Sequence, residues 1–447
     1  MECWGLRGAR LGAAFVGLLV VSQGQAEDLV SLYQIALEAD PPLQAAIYDH
    51  QAGSEVVPQA WAGYRPTITF DYDHVRTTQD IISSDNTVFQ TGSTQFPSTT
   101  WSLTLSQPIF RYANYVRIGQ AKAELRQADA ELIQAQQDLI LRLSEAYFAS
   151  LSAEDELGFL RAELNAAAQK VDVATGRVEA KVGRTVDRYD AEARMASVQA
   201  DYAEAEVALR DAYESLYEIT GRDALTLAKL KADVVLQSPT PADDEYWINA
   251  AIENNPALVV QRHAVDVAGR EVSRQNAGHY PSLDLVFRDT NQVTEGTLFG
   301  GGSEVETQEL MLRLSVPIYT GGSVSSKKRE AVARHFSAKA EMTRLSRESR
   351  RKSREAYWGV VNAVKRVEAL NKAVAAQEAT LELRLSAFKA GLETAISVLD
   401  AERDLYYAKR DLSRAKYDYL LNGLRLKALV GILTKDDLQL ISQWLES

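Results

Sequence analysis

Thiol chemistry is almost absent from this 447-residue chain, whose one cysteine, Cys3, stands near the start. Downstream of it no disulfide framework and no cysteine-ligated metal centre can be built. The five histidines are far apart and none falls in a metal-spaced motif, so no metal or other cofactor is expected. Positive charge is in deficit: 49 Lys and Arg face 61 Asp and Glu, a formal net charge of -12. Nucleic acid, which needs a basic surface, is therefore not an expected partner. Beyond residue 26 no apolar run approaches the ~20 residues of a membrane-crossing helix. Any passage through a bilayer has to be made by β-strands in a closed barrel. Catalytic constellations are missing too. Ser349 and Lys352 match an SxxK spacing, but mid-helix and without the motifs that accompany it in penicillin-binding enzymes. The chain does not read as an enzyme.

What is present begins with a secretory signal over residues 1–26. Arg7 and Arg10 form a positive start, Leu11 to Val21 is a short apolar run, and Gly24, Gln25 and Ala26 precede a cut before Glu27. Removal takes away two Arg and one Glu, leaving 47 basic and 60 acidic residues, a net charge of -13. No cysteine stands at the cut, so no lipid anchor is expected there.

The remainder repeats itself. Ala36 to Pro42 is answered by Ala250 to Pro256, Gly63 to Pro66 by Gly278 to Pro281, and Gln107 to Phe110 by Val316 to Tyr319. Glu145 to Phe148, Asp190 to Glu192 and Gly221 recur 210 positions later as Glu355 to Trp358, Asp400 to Glu402 and Gly431. A constant offset over such a length is the mark of duplication. Each half holds two strand-like segments of ~10 residues, the length that crosses a bilayer at a tilt. In the first half they are Thr67 to Val75 and Thr100 to Ile109. In the second, Leu283, Leu285 and Phe287 alternate with polar neighbours, as do Leu310, Leu312, Leu314 and Val316. Four strands cannot close a barrel, since the smallest common one has about 8. Two, three or four chains would all close something.

The rest predicts helix, rich in Ala, Glu, Lys, Arg and Leu with coiled-coil spacing. Tyr112 to Ala180 and Ser323 to Lys389 are each ~100 Å long at 1.5 Å per residue. Both end at glycine turns, Gly183 and Gly391, where a helix can reverse. The returning segments, roughly 185–220 and 392–430, and the entering segments, roughly 29–63 and 243–279, are about half as long. Two long columns and two composite columns per chain satisfy this arithmetic. The domain plan is a first repeat over 27–222, an equatorial linker over 223–242 holding Pro239 and Pro241, a second repeat over 243–431, and an equatorial tail over 432–447. A basic run, Arg344, Arg347, Arg350, Arg351, Lys352 and Arg354, falls near mid-column. It is expected to meet Asp243, Asp244 and Glu245 of the linker region and Asp436 and Asp437 of the tail.

From Ser353 to Leu433, and above all over Gly391 to Asp400, Leu405 to Leu412 and Tyr417 to Asn422, the chain resembles the TolC family of outer-membrane export ducts. The paired helix-strand-strand-helix repeats extend the resemblance over essentially all of the chain after the signal. It implies a homotrimer with four strands per chain in an outer-membrane β-barrel, in contact with lipid. A long periplasmic α-helical barrel would continue that β-barrel. It also implies a periplasmic adaptor protein, an inner-membrane ABC or proton-driven pump, and export of proteins, small molecules or both. A periplasmic coiled-coil adaptor is the alternative, but it leaves the duplicated apolar hairpins without a role.

The resemblance gives the two distal turns their expected roles. Val182, Gly183 and Arg184 with Ala390, Gly391 and Leu392, within Lys181 to Arg184 and Lys389 to Leu392, match the family's adaptor-docking turns. Asp187, Asp190, Phe388, Glu393, Ser397 and Asp400 match the channel entrance. Three copies of the three aspartates would crowd the narrow end with carboxylates, which attract cations. Phe388 takes the place of the family's latching aromatic, Glu393 replaces its Arg and Ser397 one of its Asp. Arg184 with Glu393 is the expected substitute latch.

Overall fold

The computed structural model describes residues 26–83, 92–223, 226–231, 234, 236–296 and 301–446. The expected signal lies outside the described residues except for Ala26. The first half runs α1 (Leu29–Ala39), α2 (Pro41–Ser54), α3 (Val56–Ala62), β1 (Thr67–Ile81), β2 (Gly92–Arg111), α4 (Tyr112–Glu179) and α5 (Thr185–Thr220). The second runs α6 (Asp244–Asn254), α7 (Pro256–Asn276), β3 (Ser282–Thr294), β4 (Ser303–Ser315), α8 (Ser323–Lys389), α9 (Ala395–Leu429) and α10 (Lys435–Ser442). The chain is thus mainly helical with one small antiparallel sheet.

The four strands pair in the order β1-β2-β3-β4. Ile68, Leu105, Phe287 and Leu310 lie side by side across all four. Much of this apolar surface faces outward: Ile68, Phe70 and Tyr72 on β1 and Leu310, Leu312 and Leu314 on β4 are all more than 60% exposed. At 15, 20, 13 and 13 residues the strands exceed the expected ten. The added length in the first hairpin is polar, with Thr77, Thr78 and Gln79 laddered to Phe96, Gln95 and Thr94. Threonine-rich alternation keeps a ladder going past the apolar band, because strand pairing needs fit to the pleat and not burial alone.

The long helices appear where composition predicts them, with 68 residues in α4 and 67 in α8, each ~100 Å. With 36 and 35 residues, α5 and α9 return half of that distance. Both α7 and α9 pack against α4 and α8, and both α2 and α5 pack against α4. The entering segments are not single half-length helices, which corrects the reading of 29–63 and 243–279. Asp40 ends α1 and caps α2 through Leu43 N–H at 2.9 Å, with Pro41 next. Asn255 does the same for α7, accepting from Ala257 and Leu258, with Pro256 next. Proline at the first helical position has no N–H to lose and cannot continue the preceding helix.

A second layer wraps mid-column. Leu29, Leu32, Leu43, Leu139, Leu143 and Tyr147 form its centre, joined by Leu438 and Leu445 of the tail. Each such fully buried side chain contributes about 1.5–3 kcal/mol. Asp40 is fully buried within this layer, held by the fork of Arg142 at 2.9 and 2.8 Å. In the second half α8 carries the layer. Arg350 and Arg354 reach Glu245 at 3.1 and 2.9 Å, and Arg354 reaches Asp244 at 3.2 Å. The tail does not share this cluster: Asp437 binds Lys427 and closes the capping box of α10. Arg344, Arg351 and Lys352 spend their charge on Glu341, Glu348 and Glu355 along α8 itself.

Gly221 and Gly431 end α5 and α9 with φ of 64 and 74°, the left-handed region that costs other residues about 1–2 kcal/mol. Around Gly221 there is open space, whereas a Cβ on Gly431 would be driven into the Asn254 carbonyl oxygen. Gly221→Ala is expected to cost about 1 kcal/mol and Gly431→Ala about 3 kcal/mol or more. Heat-induced unfolding of the purified variants checks the difference, and equal losses would contradict it.

Candidate functional site

The far ends of the two hairpins carry the candidate residues. At the end of α4, Lys181 and not Gly183 takes the left-handed conformation, with φ of 58°. Val182 and Gly183 N–H both donate to the Arg177 carbonyl at 2.9 Å. At the end of α8, Gly391 takes that conformation, with φ of 75°, and Leu392 N–H donates to Ala387 at 2.9 Å. The left-handed residues are thus 210 apart, as are Asp190 and Asp400, and by that offset Gly183 stands opposite Glu393. Gly183 has a different reason to be glycine: a Cβ there would sit 2.8 Å from Arg177 Cβ.

Val182 and Leu392 crown the two turns, 70% and 82% exposed. Exposed Val186 and Tyr189 continue from Val182 down one side of α5, a set missed in the sequence. Its signal was the spacing of four and three from Val182, one helix face left without a partner. Phe388 is half-exposed and accepts the Gly391 N–H through its carbonyl.

The acidic residues are not equivalent. Asp187 is bound to Arg184 at 2.7 Å, and this hydrogen bond holds its carboxyl below the usual range. Asp400 is bound to Lys170 of α4, with Arg403 at 3.5 Å. Asp190 is exposed and makes no ion pair among the described residues. Glu393 accepts from the Ser397 hydroxyl at 2.7 Å, which lowers its carboxyl, aided by Thr394 N–H. Within one chain Arg184 and Glu393 are thus each committed locally and form no latch with one another. Near this turn the guanidinium of Arg384 donates to the Ser397 carbonyl at 2.9 Å.

Polar links tie the two hairpins along their length. Glu163 of α4 is almost fully buried and receives both Arg194 of α5 and Tyr407 of α9 at 2.5 Å. Arg410 reaches Glu156 at 3.2 Å and Tyr417 donates to Asp155 at 3.0 Å. Burial raises the Asp155 carboxyl and pushes the Tyr417 hydroxyl up further. Tyr407, Arg410 and Tyr417 each lie more than 200 residues from these partners in sequence, so no local pattern announces those links.

Among the described residues no group of His, Cys, Asp and Glu could hold a metal ion, and no helix is long and apolar enough to cross a membrane. Relief of the left-handed strain by Lys181→Gly is expected to stabilise the first turn by about 1 kcal/mol, slowing exchange of the Val182 and Gly183 amides about fivefold. Hydrogen exchange by NMR or mass spectrometry checks it, and unchanged rates would show the strain to be absent.

The model of the family described as outer membrane efflux protein matches residues 32–222 and 247–432, one block per repeat. Outer membrane protein TolC of Vibrio cholerae is 31% identical over 415 residues, covering 92% of each chain. Proteases secretion protein PrtF of Dickeya chrysanthemi is 28% identical, covering 95% of this chain and 92% of its own. Among solved structures the Campylobacter jejuni CmeC outer membrane channel covers 100% of this chain and 98% of its own, with a TM-score of 0.77 at 14% identity. Duplicated blocks, a strand pair in each and two helical hairpins are common to the geometry and to these matches, and the chain belongs to the outer membrane efflux protein family.

Proposed function

We propose that three copies of this outer-membrane export channel protein close one duct, twelve strands above and a wall of helical columns below. The observation that carries this reading is the sheet: four strands, β1 and β4 at its open edges, and an apolar face left in the open. In hydrocarbon every unpaired backbone group costs several kcal/mol, so both edges have to be met by other chains. Light scattering of the full protein in mild detergent should give the mass of three chains, and a monomer would overturn the reading.

The distal turns are the docking face for a periplasmic adaptor, with an inner-membrane ABC or proton-driven pump beyond it. Val182, Gly183, Arg184, Ala390, Gly391 and Leu392 form the two crests, and exposed Val186 and Tyr189 add apolar area. Protein is the favoured cargo, supported by the relative named for protease secretion. Small molecules are the second cargo class, supported by the efflux description of the family. Deleting the gene and measuring both secreted protein and drug sensitivity separates the two. Lost secretion with unchanged sensitivity is the expected result.

The entrance is cation-selective chiefly through Asp190. Asp400 is compensated by Lys170 and Arg403, and Asp187 by Arg184, so their charges attract passing ions less. Asp187, held below the usual carboxylate range, stays ionised into mild acid and its pair with Arg184 is lost only as pH falls through that depressed value. In planar bilayers Asp190→Asn should lower cation preference more than Asp400→Asn, and Lys170→Met should raise it. A larger effect from Asp400→Asn would place the selective charge there instead.

A further inference from the structure

The two repeats differ most where their composite columns are joined. In the first repeat Leu139 is fully buried and Arg142 forks onto Asp40 at the start of α2. The matching positions, 210 further on, are Ser349 and Lys352, and the residue at the start of α7 is Asn255. Each exchange removes filling or pairing. Ser349 is only 5% exposed and its hydroxyl has no hydrogen-bond partner among the described residues. Lys352 turns to Glu348 of its own helix at 2.8 Å. Asn255 spends its oxygen on the first N–H groups of α7 and its nitrogen on the Leu429 carbonyl. A cavity of about 630 Å³ opens at this joint, between α4, α7, α8 and α9.

Helix geometry tells which way it faces. At 100° per residue, Arg350, Arg354 and Tyr357, the side of α8 that holds α6, lie opposite Glu348, Lys352 and Glu355, which line the cavity. On α4, Ile140, Leu143 and Tyr147 pack into the second layer, opposite Asp138, Leu141 and Glu145 of the cavity. A second layer fits only outside an open duct, so the cavity is on the inner wall, about halfway along.

Its lining leaves two buried side-chain oxygens without a partner among the described residues. Gln137, 9% exposed, gives its amide N–H to the Gly431 carbonyl, but its side-chain oxygen has no partner. Arg351, Lys352 and Arg425 are each taken by one carboxylate, Glu355, Glu348 and Glu145, at 2.7–2.8 Å. Asp138 makes no ion pair among the described residues; burial raises its carboxyl, against a hydrogen bond from Gln134 and the charge of Arg142, which lower it. What stays open is an amide oxygen and a hydroxyl, beside apolar Leu141, Leu258, Leu345 and Leu429, in a lining of four carboxylates and three cations. An anion would add to that net negative charge, and a ligand without N–H groups would leave the amide oxygen unpaired.

We propose that this cavity is a binding subsite on the duct wall for an organic cation that carries N–H donors on an apolar body. Three symmetry-related copies stand at one height in the trimer. The inference rests on the trimeric duct, so the assembly is measured separately, by light scattering of each sample. The probe is 9-aminoacridine, followed by fluorescence polarisation with the detergent-purified full protein. The comparison probes are N-methylacridinium, a cation without N–H donors, and anionic fluorescein. Saturable binding of 9-aminoacridine is expected, about tenfold weaker for N-methylacridinium and for the variants Gln137→Leu and Ser349→Leu. Ser349→Leu copies the residue that fills the first repeat, and fluorescein should not bind. Trimers that show no saturable binding of 9-aminoacridine, that bind N-methylacridinium or fluorescein as tightly, or whose variants bind undiminished would overturn the proposal. Should both variants fail to assemble, the three probes on the unaltered protein decide it.

Discussion

Unpaired backbone groups have no place in a bilayer, and that single constraint organises this molecule. Four strands present one apolar face and two open edges, a sheet that is unacceptable alone in lipid and acceptable once continued by neighbours. Continuity of the sheet fixes where each helix starts. β2 passes into α4 at Arg111 and Tyr112 without an intervening loop, and α7 delivers the chain to β3 through a short turn at 277–279. The helical wall therefore inherits its spacing from the barrel above it. Residues at the distal turns are held by pairing that takes place ~100 Å away.

The middle of the columns is where that inheritance is secured. Both composite columns break at a capping residue followed by proline, and both hairpins end at a left-handed glycine beside the break. The solutions then diverge. The first repeat seals its joint with leucines, a buried Asp40–Arg142 pair and the C-terminal helix. Removing Arg142 there would leave Asp40 buried without its cation, at about 3–5 kcal/mol, whereas the half-exposed Arg142 would remain solvated without Asp40. The second repeat docks α6 through Trp247 and Ala251 onto Tyr357 and Val360, with exposed arginine pairs that contribute about 1 kcal/mol or less apiece. The two halves of one duplicated chain thus close the same joint by different means.

Much of this was legible in order along the chain. Composition and the absence of breakers placed Tyr112 and Lys389 at helix ends, and the alternation around Phe70 and Leu312 gave strands. The break at Asp40 and Pro41 was visible as a repeat marker but not as a helix end, because a cap and an N-terminal proline also suit a continuing helical pattern. The turn at Lys181 was hidden by propensity: glycine is the expected left-handed residue, and Gly183 stands two places further on. Pairs such as Lys170 with Asp400 were beyond reach, since 230 residues separate two groups that meet only when the hairpins lie side by side. The charge of a site reached by folding depends on such meetings, which a count of aspartates leaves out.

The near-equality of α4 and α8, 68 and 67 residues, has a consequence for how such chains can change. Adding one heptad to α4 alone would push its turn ~10 Å beyond that of α8 and rotate every face below the insertion relative to its neighbours. The lengths of α5 and α9, or of the segments above them, would have to grow in step to keep the wall closed. Viable insertions and deletions must therefore come as matched sets across both repeats, in near-whole turns. The number of residues between the sheet and the distal turns is then a ruler inscribed four times in one polypeptide, and it records the width of the gap that this protein was shaped to cross.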